Sequence, residues 1–143
     1  LVREIRRILG TDQQWPVALV GTGTLGRALL RYQGFADQGF RIEAAFDNDP
    51  QQIGRQFGSV EVFSLDRLAE VVAARNIRLA IIAVPVDGVQ DVADQLVAAG
   101  IEGVMNFAPV TLRVPETVTT VGVDLAIELE QLSFAVVNRR PKP

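Results

Sequence analysis

Short apolar runs alternate along this chain with stretches in which apolar residues recur at helical spacing. A continuous apolar run predicts a parallel strand covered on both faces, and the spacing i, i+3, i+4 predicts a helix with one apolar face. The pattern predicts strands at 15–20, 41–47, 60–63, 79–85, 102–106 and 117–121, with helices at 24–32, 65–75, 88–99 and 124–138. This alternation indicates right-handed crossovers and an α/β fold with a doubly wound, mostly parallel sheet.

The first predicted strand runs into a glycine-rich turn, Gly21-Thr22-Gly23-Thr24-Leu25-Gly26, from which the first helix continues. In a dinucleotide-binding turn the first glycine permits the sharp bend, the second lets the backbone approach a pyrophosphate, and the third brings the helix close to the strand. The amino end of the helix then offers free N–H groups to the phosphates. The turn therefore predicts a nucleotide site, with a plain strand–turn–helix connection as the alternative.

Asp47 is the candidate for binding the adenine ribose, because it ends the second predicted strand. It lies 26 positions after Gly21, which is longer than the usual separation of about 20, and a longer intervening loop accounts for the difference. The alternative is a turn or cap residue before Asp49 and Pro50. A carboxylate at this place repels a ribose phosphate, so it favours NAD(H) over NADP(H).

Length and composition indicate one globular domain, since the chain has 143 residues, of which 48% are hydrophobic and 22% charged. No apolar run has the length of a membrane span and no signal peptide is visible, so we expect a cytoplasmic protein. A net charge of −3 gives no overall attraction to nucleic acid, so DNA as a partner would require another segment.

The chain contains neither histidine nor cysteine. Imidazole bases, imidazole or thiolate metal ligands and histidine-based triads are therefore excluded, and we predict neither a metal site nor an enzyme. Two alternatives share the glycine-rich start: an NAD-dependent dehydrogenase, and a coenzyme A-binding domain of the succinyl-CoA synthetase type. The histidine that is phosphorylated in that synthetase has no counterpart here.

Three segments are expected. Residues 1–10 carry an apolar helical stripe and are expected to end a linker helix from an N-terminal domain outside this sequence. Residues 15–121 are expected to form the nucleotide-binding domain. Residues 124–138 form a helix that is apolar on more than one face, which predicts burial against a second subunit.

The sequence resembles the Rex family of redox-sensing transcriptional repressors, in which a winged-helix DNA-binding domain precedes a Rossmann domain that senses NADH relative to NAD⁺. The motifs that carry the resemblance cover nearly the whole chain: GTGTLG at 21–26, YQGF at 32–35, FDNDP at 46–50, VP at 84–85, GVMNFAP at 103–109, VD at 123–124 and LSFA at 132–135.

The resemblance implies NADH or NAD⁺ as the cofactor, a homodimer, and operator DNA that binds only through a winged-helix domain outside this sequence. NADH binding would change the dimer geometry and release the operator without hydride transfer. The implied cofactor-binding residues are Gly21, Thr22, Gly23, Thr24, Leu25, Gly26, Asp47, Asn48, Val84, Pro85, Asn106, Phe107, Ala108 and Pro109. The last four lie on the nicotinamide side, although Phe107 also fits a core position. A C-terminal helix swapped between subunits would bring Asp124 and Leu125 to the partner's nicotinamide pocket and Tyr32.

Overall fold

A computed structural model describes residues 14–139, so the helix predicted for residues 1–10 lies outside the described residues. Within the described range the strands are β1 (Trp15–Val20), β2 (Phe40–Asp47), β3 (Gln56–Phe57), β4 (Val60–Ser64), β5 (Leu79–Ile82), β6 (Gly103–Asn106) and β7 (Thr119–Gly122). The helices of this range are α1 (Thr24–Arg31), α2 (Gly34–Asp37), α3 (Leu68–Ala74), α4 (Val89–Ala98) and α5 (Leu125–Arg139), with a 3-10 turn at Leu65–Arg67.

All described strands join one sheet in the order β3-β4-β2-β1-β5-β6-β7. Only β3 is antiparallel, and it pairs with β4 alone, whereas the other pairs are parallel. Without β3, the strands lie in the order third, second, first, fourth, fifth, sixth, which is that of dinucleotide-binding Rossmann domains. The order reverses between β1 and β5, and ligands of such sheets bind beyond the carboxyl ends of the strands at this reversal.

Apolar side chains pack on both faces of the sheet. One cluster lies between the sheet and helices α3 and α4, and it includes Val20, Ile82 and Leu96. The other lies under α1 and includes Leu19 and Val62. Leu19 and Val20 belong to different clusters because successive side chains of a strand point to opposite faces. Helices therefore lie on both faces, which confirms the predicted doubly wound fold.

Some element bounds differ from the predictions. The first helix, predicted at 24–32, ends at Arg31, and a short helix that was not predicted, α2, begins at Gly34. The strand predicted at 79–85 ends at Ile82, although the Ala83 N–H still donates to the carbonyl of Val20 at 2.8 Å. Strand β3 is not predicted, because two residues are too few to show an alternation of apolar and polar positions.

Helix α5 has no buried residue in the single chain, and seven of its large apolar side chains are exposed. A 15-residue helix is about 22 Å long. No helix within residues 14–139 is both long and apolar enough to cross a membrane.

Candidate functional site

The glycine-rich turn begins at Gly21, directly after β1. Its φ of +105° is a conformation that residues with a side chain rarely adopt. A Cβ atom at this position would lie 2.5 Å from the carbonyl oxygen of Ala83, which follows β5. The Gly21 N–H donates to the carbonyl oxygen of Phe46 at 2.9 Å. The fold itself therefore requires glycine here, at the point where the strand order reverses.

Gly26 and Gly23 have different surroundings. A Cβ atom on Gly26 would overlap the backbone carbonyl of Gly21, so glycine at this position lets α1 pack against the turn. A Cβ atom on Gly23 would have no atom within 4 Å, and the backbone is extended, with φ −73° and ψ −158°. Protein packing does not explain glycine at position 23, whereas a ligand that lies against the backbone does.

The amino end of α1 is open to an anion. Gly23 is its N-cap residue, and no side chain caps the helix. The first N–H groups of a helix have no partner within it, so those of Thr24, Leu25 and Gly26 are available beside the open space at Gly23. Thr24 is exposed and Leu25 is half-buried. This arrangement fits a pyrophosphate.

Asp47 at the end of β2 is bound to the glycine-rich turn. The fully buried Thr22 donates two hydrogen bonds to its Oδ2 atom, from the backbone N–H at 2.8 Å and from the hydroxyl at 2.6 Å. The Oδ1 atom accepts the N–H of Asp49 at 3.0 Å. Asp47 is thus a turn residue, as the alternative predicted, and it also lies at the strand end where a ribose-binding acid belongs. The next residue, Asn48, is exposed.

Two opposing effects act on the pKa of the Asp47 carboxyl. Partial burial raises it, whereas hydrogen bonds from the Thr22 hydroxyl and from nearby backbone N–H groups lower it. The hydrogen bonds outweigh burial and hold the pKa below the ordinary value of 3.8, so the carboxylate is charged at neutral pH. Each of its oxygens has two lone pairs, which leaves Oδ1 able to accept a ligand hydroxyl.

Val84 and Pro85 follow β5 at the same edge of the sheet. Val84 is half-buried, and its Cγ1 atom would lie 3.1 Å from a Cβ atom on Gly21. Pro85 is exposed. Val84 therefore lies beside the glycine-rich turn, and its contact with a cofactor stays a prediction.

Asn106 is buried at the end of β6, with 2% of its surface exposed. Its Oδ1 atom accepts the N–H of Ala108 and its Nδ2 atom donates to the carbonyl of Val110, both at 3.0 Å. Phe107 is half-buried in the cluster under α1, while Ala108 is buried and Pro109 is exposed. The amide predicted to face the nicotinamide thus holds the following loop in place, and Phe107 occupies the core position left open as its alternative.

Gln90 on α4 holds the same loop further on, a role that the sequence analysis missed. Its amide accepts the N–H of Arg113 and donates to the carbonyl of that residue, both at 2.9 Å. No local sequence pattern predicts this contact, because the two residues are 23 positions apart.

Tyr32, Asp124 and Leu125 do not form a site within one chain. Tyr32 is exposed and contacts Phe35 edge to face, with ring centroids 4.9 Å apart. Asp124 precedes α5, and its Oδ1 atom accepts the N–H of Ile127 at 3.1 Å as a helix cap. Leu125 is exposed. Among the described residues no hydrogen bond joins Tyr32 to Asp124.

An apolar groove of about 460 Å³ lies away from the glycine-rich turn, on the sheet face that α1 covers only in part. Its floor consists of alternate side chains of β1, β2, β5, β6 and β7, which share one face of the sheet. They include Val17, Ile42, Leu79, Ile81, Met105 and Val121. The described lining of the groove is mostly apolar and includes neither the glycine-rich turn nor Asp47.

Comparisons with known proteins give one domain profile and a set of relatives that share one name. The sequence profile of the CoA binding domain matches residues 12–110. The redox-sensing transcriptional repressor Rex of Desulfitobacterium hafniense is 50% identical over 98% of this chain and 67% of its own length. The protein of the same name from Rhodopirellula baltica is 49% identical over 97% of this chain and 59% of its own length. Both are named as repressors and not as enzymes, which agrees with the prediction that the domain is not an enzyme.

A solved structure of RSP, described as a Rex-family repressor, matches with a TM-score of 0.85 and 33% identity, over 94% of this chain and 64% of that one. RSP has also been solved with β-NADH, and with β-NAD⁺ and operator DNA, each at a TM-score of 0.84. The chain thus spans roughly 59 to 67% of the length of these relatives.

Proposed function

The chain belongs to the Rex family of redox-sensing transcriptional repressors, and we propose that it forms the NAD(H)-sensing domain of such a repressor. The observation that carries the proposal is the open amino end of α1 beside Gly23, together with the two hydrogen bonds that Thr22 of the same turn donates to the carboxylate of Asp47. An anion site and a ribose-binding acid then lie together at the reversal of the strand order. That is the arrangement a dinucleotide requires.

The proposed site divides the dinucleotide among three loops. Residues 21–26 hold the pyrophosphate through the backbone and the amino end of α1. Asp47 accepts an adenine ribose hydroxyl through Oδ1, with Asn48 beside it. Val84 and Pro85 line the middle of the site. The loop of residues 106–109 lies on the nicotinamide side, held in place by the Asn106 side chain.

We further propose that the protein is a homodimer joined through α5. Leu129 and Phe134 of this helix are 66% and 69% exposed in the single chain, and contiguous apolar surface of this kind is typical of an interface. The apolar groove on the sheet gives the helix of a second copy a surface on which to pack. In such a dimer Asp124 and Leu125 approach the partner's nicotinamide pocket and Tyr32.

The sensing mechanism we propose is differential binding. NADH favours one dimer geometry and the operator-bound repressor another, so occupancy of the site shifts the population without hydride transfer. A net charge of −3 gives this chain no overall attraction to DNA. In the proposed mechanism operator DNA therefore binds the whole repressor through a winged-helix domain. We place the protein in the cytoplasm, where it would meet NADH.

Calorimetric titration with NADH, NAD⁺, NADPH and coenzyme A tests the proposal. NADH is expected to bind most tightly. Coenzyme A is the second candidate, because the CoA binding domain profile matches residues 12–110. Preferential binding of coenzyme A would refute the sensor, and consumption of NADH with an added carbonyl substrate would indicate a dehydrogenase.

A further inference from the structure

Thr22 is a fully buried polar residue between two glycines of the turn. A buried hydroxyl is costly unless it forms a hydrogen bond, and this one donates to Asp47 Oδ2 at 2.6 Å. That distance is typical of a hydroxyl bound to a charged carboxylate. The backbone N–H of the same residue donates to the same oxygen at 2.8 Å. One residue thus directs two donors to one atom of the acid proposed to bind ribose.

The contact links two loops that are far apart in sequence, since Thr22 and Asp47 are 25 positions apart. The Gly21 N–H, which donates to the Phe46 carbonyl, fixes the same two backbones one residue earlier. Asp47 is therefore held in one rotamer, with Oδ2 directed to the turn and Oδ1 accepting the N–H of Asp49. Of these hydrogen-bond donors, only the Thr22 hydroxyl can be removed by a substitution while the backbone hydrogen bonds remain.

We propose that Thr22 is a positioning residue that sets the discrimination between NADH and NADPH by holding the carboxylate of Asp47 in one orientation. The inference rests on the proposed function of the site. A fixed anion accepts a hydroxyl of an unmodified ribose through Oδ1 and repels a 2′-phosphate. Without the hydroxyl, Asp47 rotates more readily, and both the attraction and the repulsion weaken.

The test compares three variants of the full chain by calorimetry with NADH and NADPH at neutral pH. Thr22→Val removes the hydroxyl at nearly constant volume, and the preference for NADH over NADPH is expected to fall about tenfold, the equivalent of about 1.4 kcal/mol. Thr22→Ser retains the hydroxyl and is expected to keep the preference within about twofold. Thr117→Val is the matched control at an exposed threonine outside the site.

A carbon NMR titration of the Asp47 carboxyl in the ligand-free protein gives a second readout, which a role in packing alone would not change. Its pKa is expected to rise in Thr22→Val and to stay low in Thr22→Ser, because the hydroxyl lowers it. In an Asp47→Asn background, Thr22→Val is expected to leave the cofactor preference unchanged. If circular dichroism shows that the valine variant is unfolded, Thr22→Ala replaces it in both measurements.

The outcomes separate the two proposals. Failure of the parent chain to bind NADH refutes the proposed function, whatever the carboxyl titration shows. Binding of NADH by the parent chain, together with an unchanged preference and an unchanged Asp47 titration in Thr22→Val, refutes the role of Thr22 and leaves the proposed function intact.

Discussion

Replacing each of two glycines by alanine separates the needs of the fold from those of the ligand. At Gly26 an added methyl group would overlap the carbonyl of Gly21, and the atoms it meets are backbone, which cannot move aside cheaply. At Gly23 the methyl group enters open space and the backbone already has an extended conformation. Gly26→Ala is therefore expected to impair folding, and Gly23→Ala to impair binding alone.

The magnitudes follow from these contacts. Overpacking of this kind costs about 1 to 3 kcal/mol and more where backbone must shift, so Gly26→Ala is expected at or above the upper end. In Gly23→Ala, a gain of about 0.4 to 1 kcal/mol from a less flexible unfolded chain offsets the loss of a preferred N-cap residue. A methyl group that displaces one hydrogen bond to a charged phosphate costs about 1.5 to 3 kcal/mol of binding, or about 10- to 150-fold in Kd.

Urea denaturation and NADH calorimetry on the same preparations measure both effects. Gly23→Ala is expected to unfold at the midpoint of the parent chain and to bind NADH more weakly. Unchanged affinity in this variant would refute the placement of the pyrophosphate against Gly23. Parent-like stability of Gly26→Ala would show that α1 does not need its close approach to the turn.

Three further predictions concern Asp47, α5 and Asn106. The lowered pKa of Asp47 stabilises the fold above the ordinary pKa of 3.8, and this contribution is lost as the pH falls through the folded value. In thermal melts, Asp47→Asn should therefore be less stable than the parent chain at pH 7, and the difference should vanish in acid. Leu129→Asp with Phe134→Asp should give a monomer by sedimentation without loss of helix, since both side chains are exposed in the single chain, whereas Ala73→Asp on the exposed face of α3 should remain dimeric. Asn106→Ala leaves a buried N–H and a carbonyl without partners and should cost about 1 to 3 kcal/mol in urea denaturation.

The apolar pattern predicted the fold well because each central strand is buried on both faces. Strand β1 begins and ends at the predicted residues, and the apolar residues Leu68, Val71 and Val72 of α3 are all buried. Two short elements were not predicted. The two-residue β3 is held by its pairing with β4 alone, and the four-residue α2 is a single helical turn that begins at Gly34.

The candidate site could be located from the sequence but not resolved into roles. The glycine spacing and the acid at the end of β2 identify the position, whereas the contact of Thr22 with Asp47 depends on how two loops meet. Asn106 shows the same limit. The sequence predicts its position at the end of β6. It does not predict that the side-chain amide forms hydrogen bonds with the backbone of Ala108 and Val110, because those depend on the conformation of the following loop.

The arrangement around Asn106 explains how one domain could serve sensing. Its side chain holds the loop on the proposed nicotinamide side, and its backbone carbonyl accepts the N–H of Val123 at 2.8 Å. The next residue, Asp124, caps α5. The loop and the proposed dimer helix are thus both anchored at the end of β6. A ligand shifts an equilibrium only by its difference in affinity for the two states, so the proposed mechanism requires that NADH contact this loop differently in the two dimer geometries.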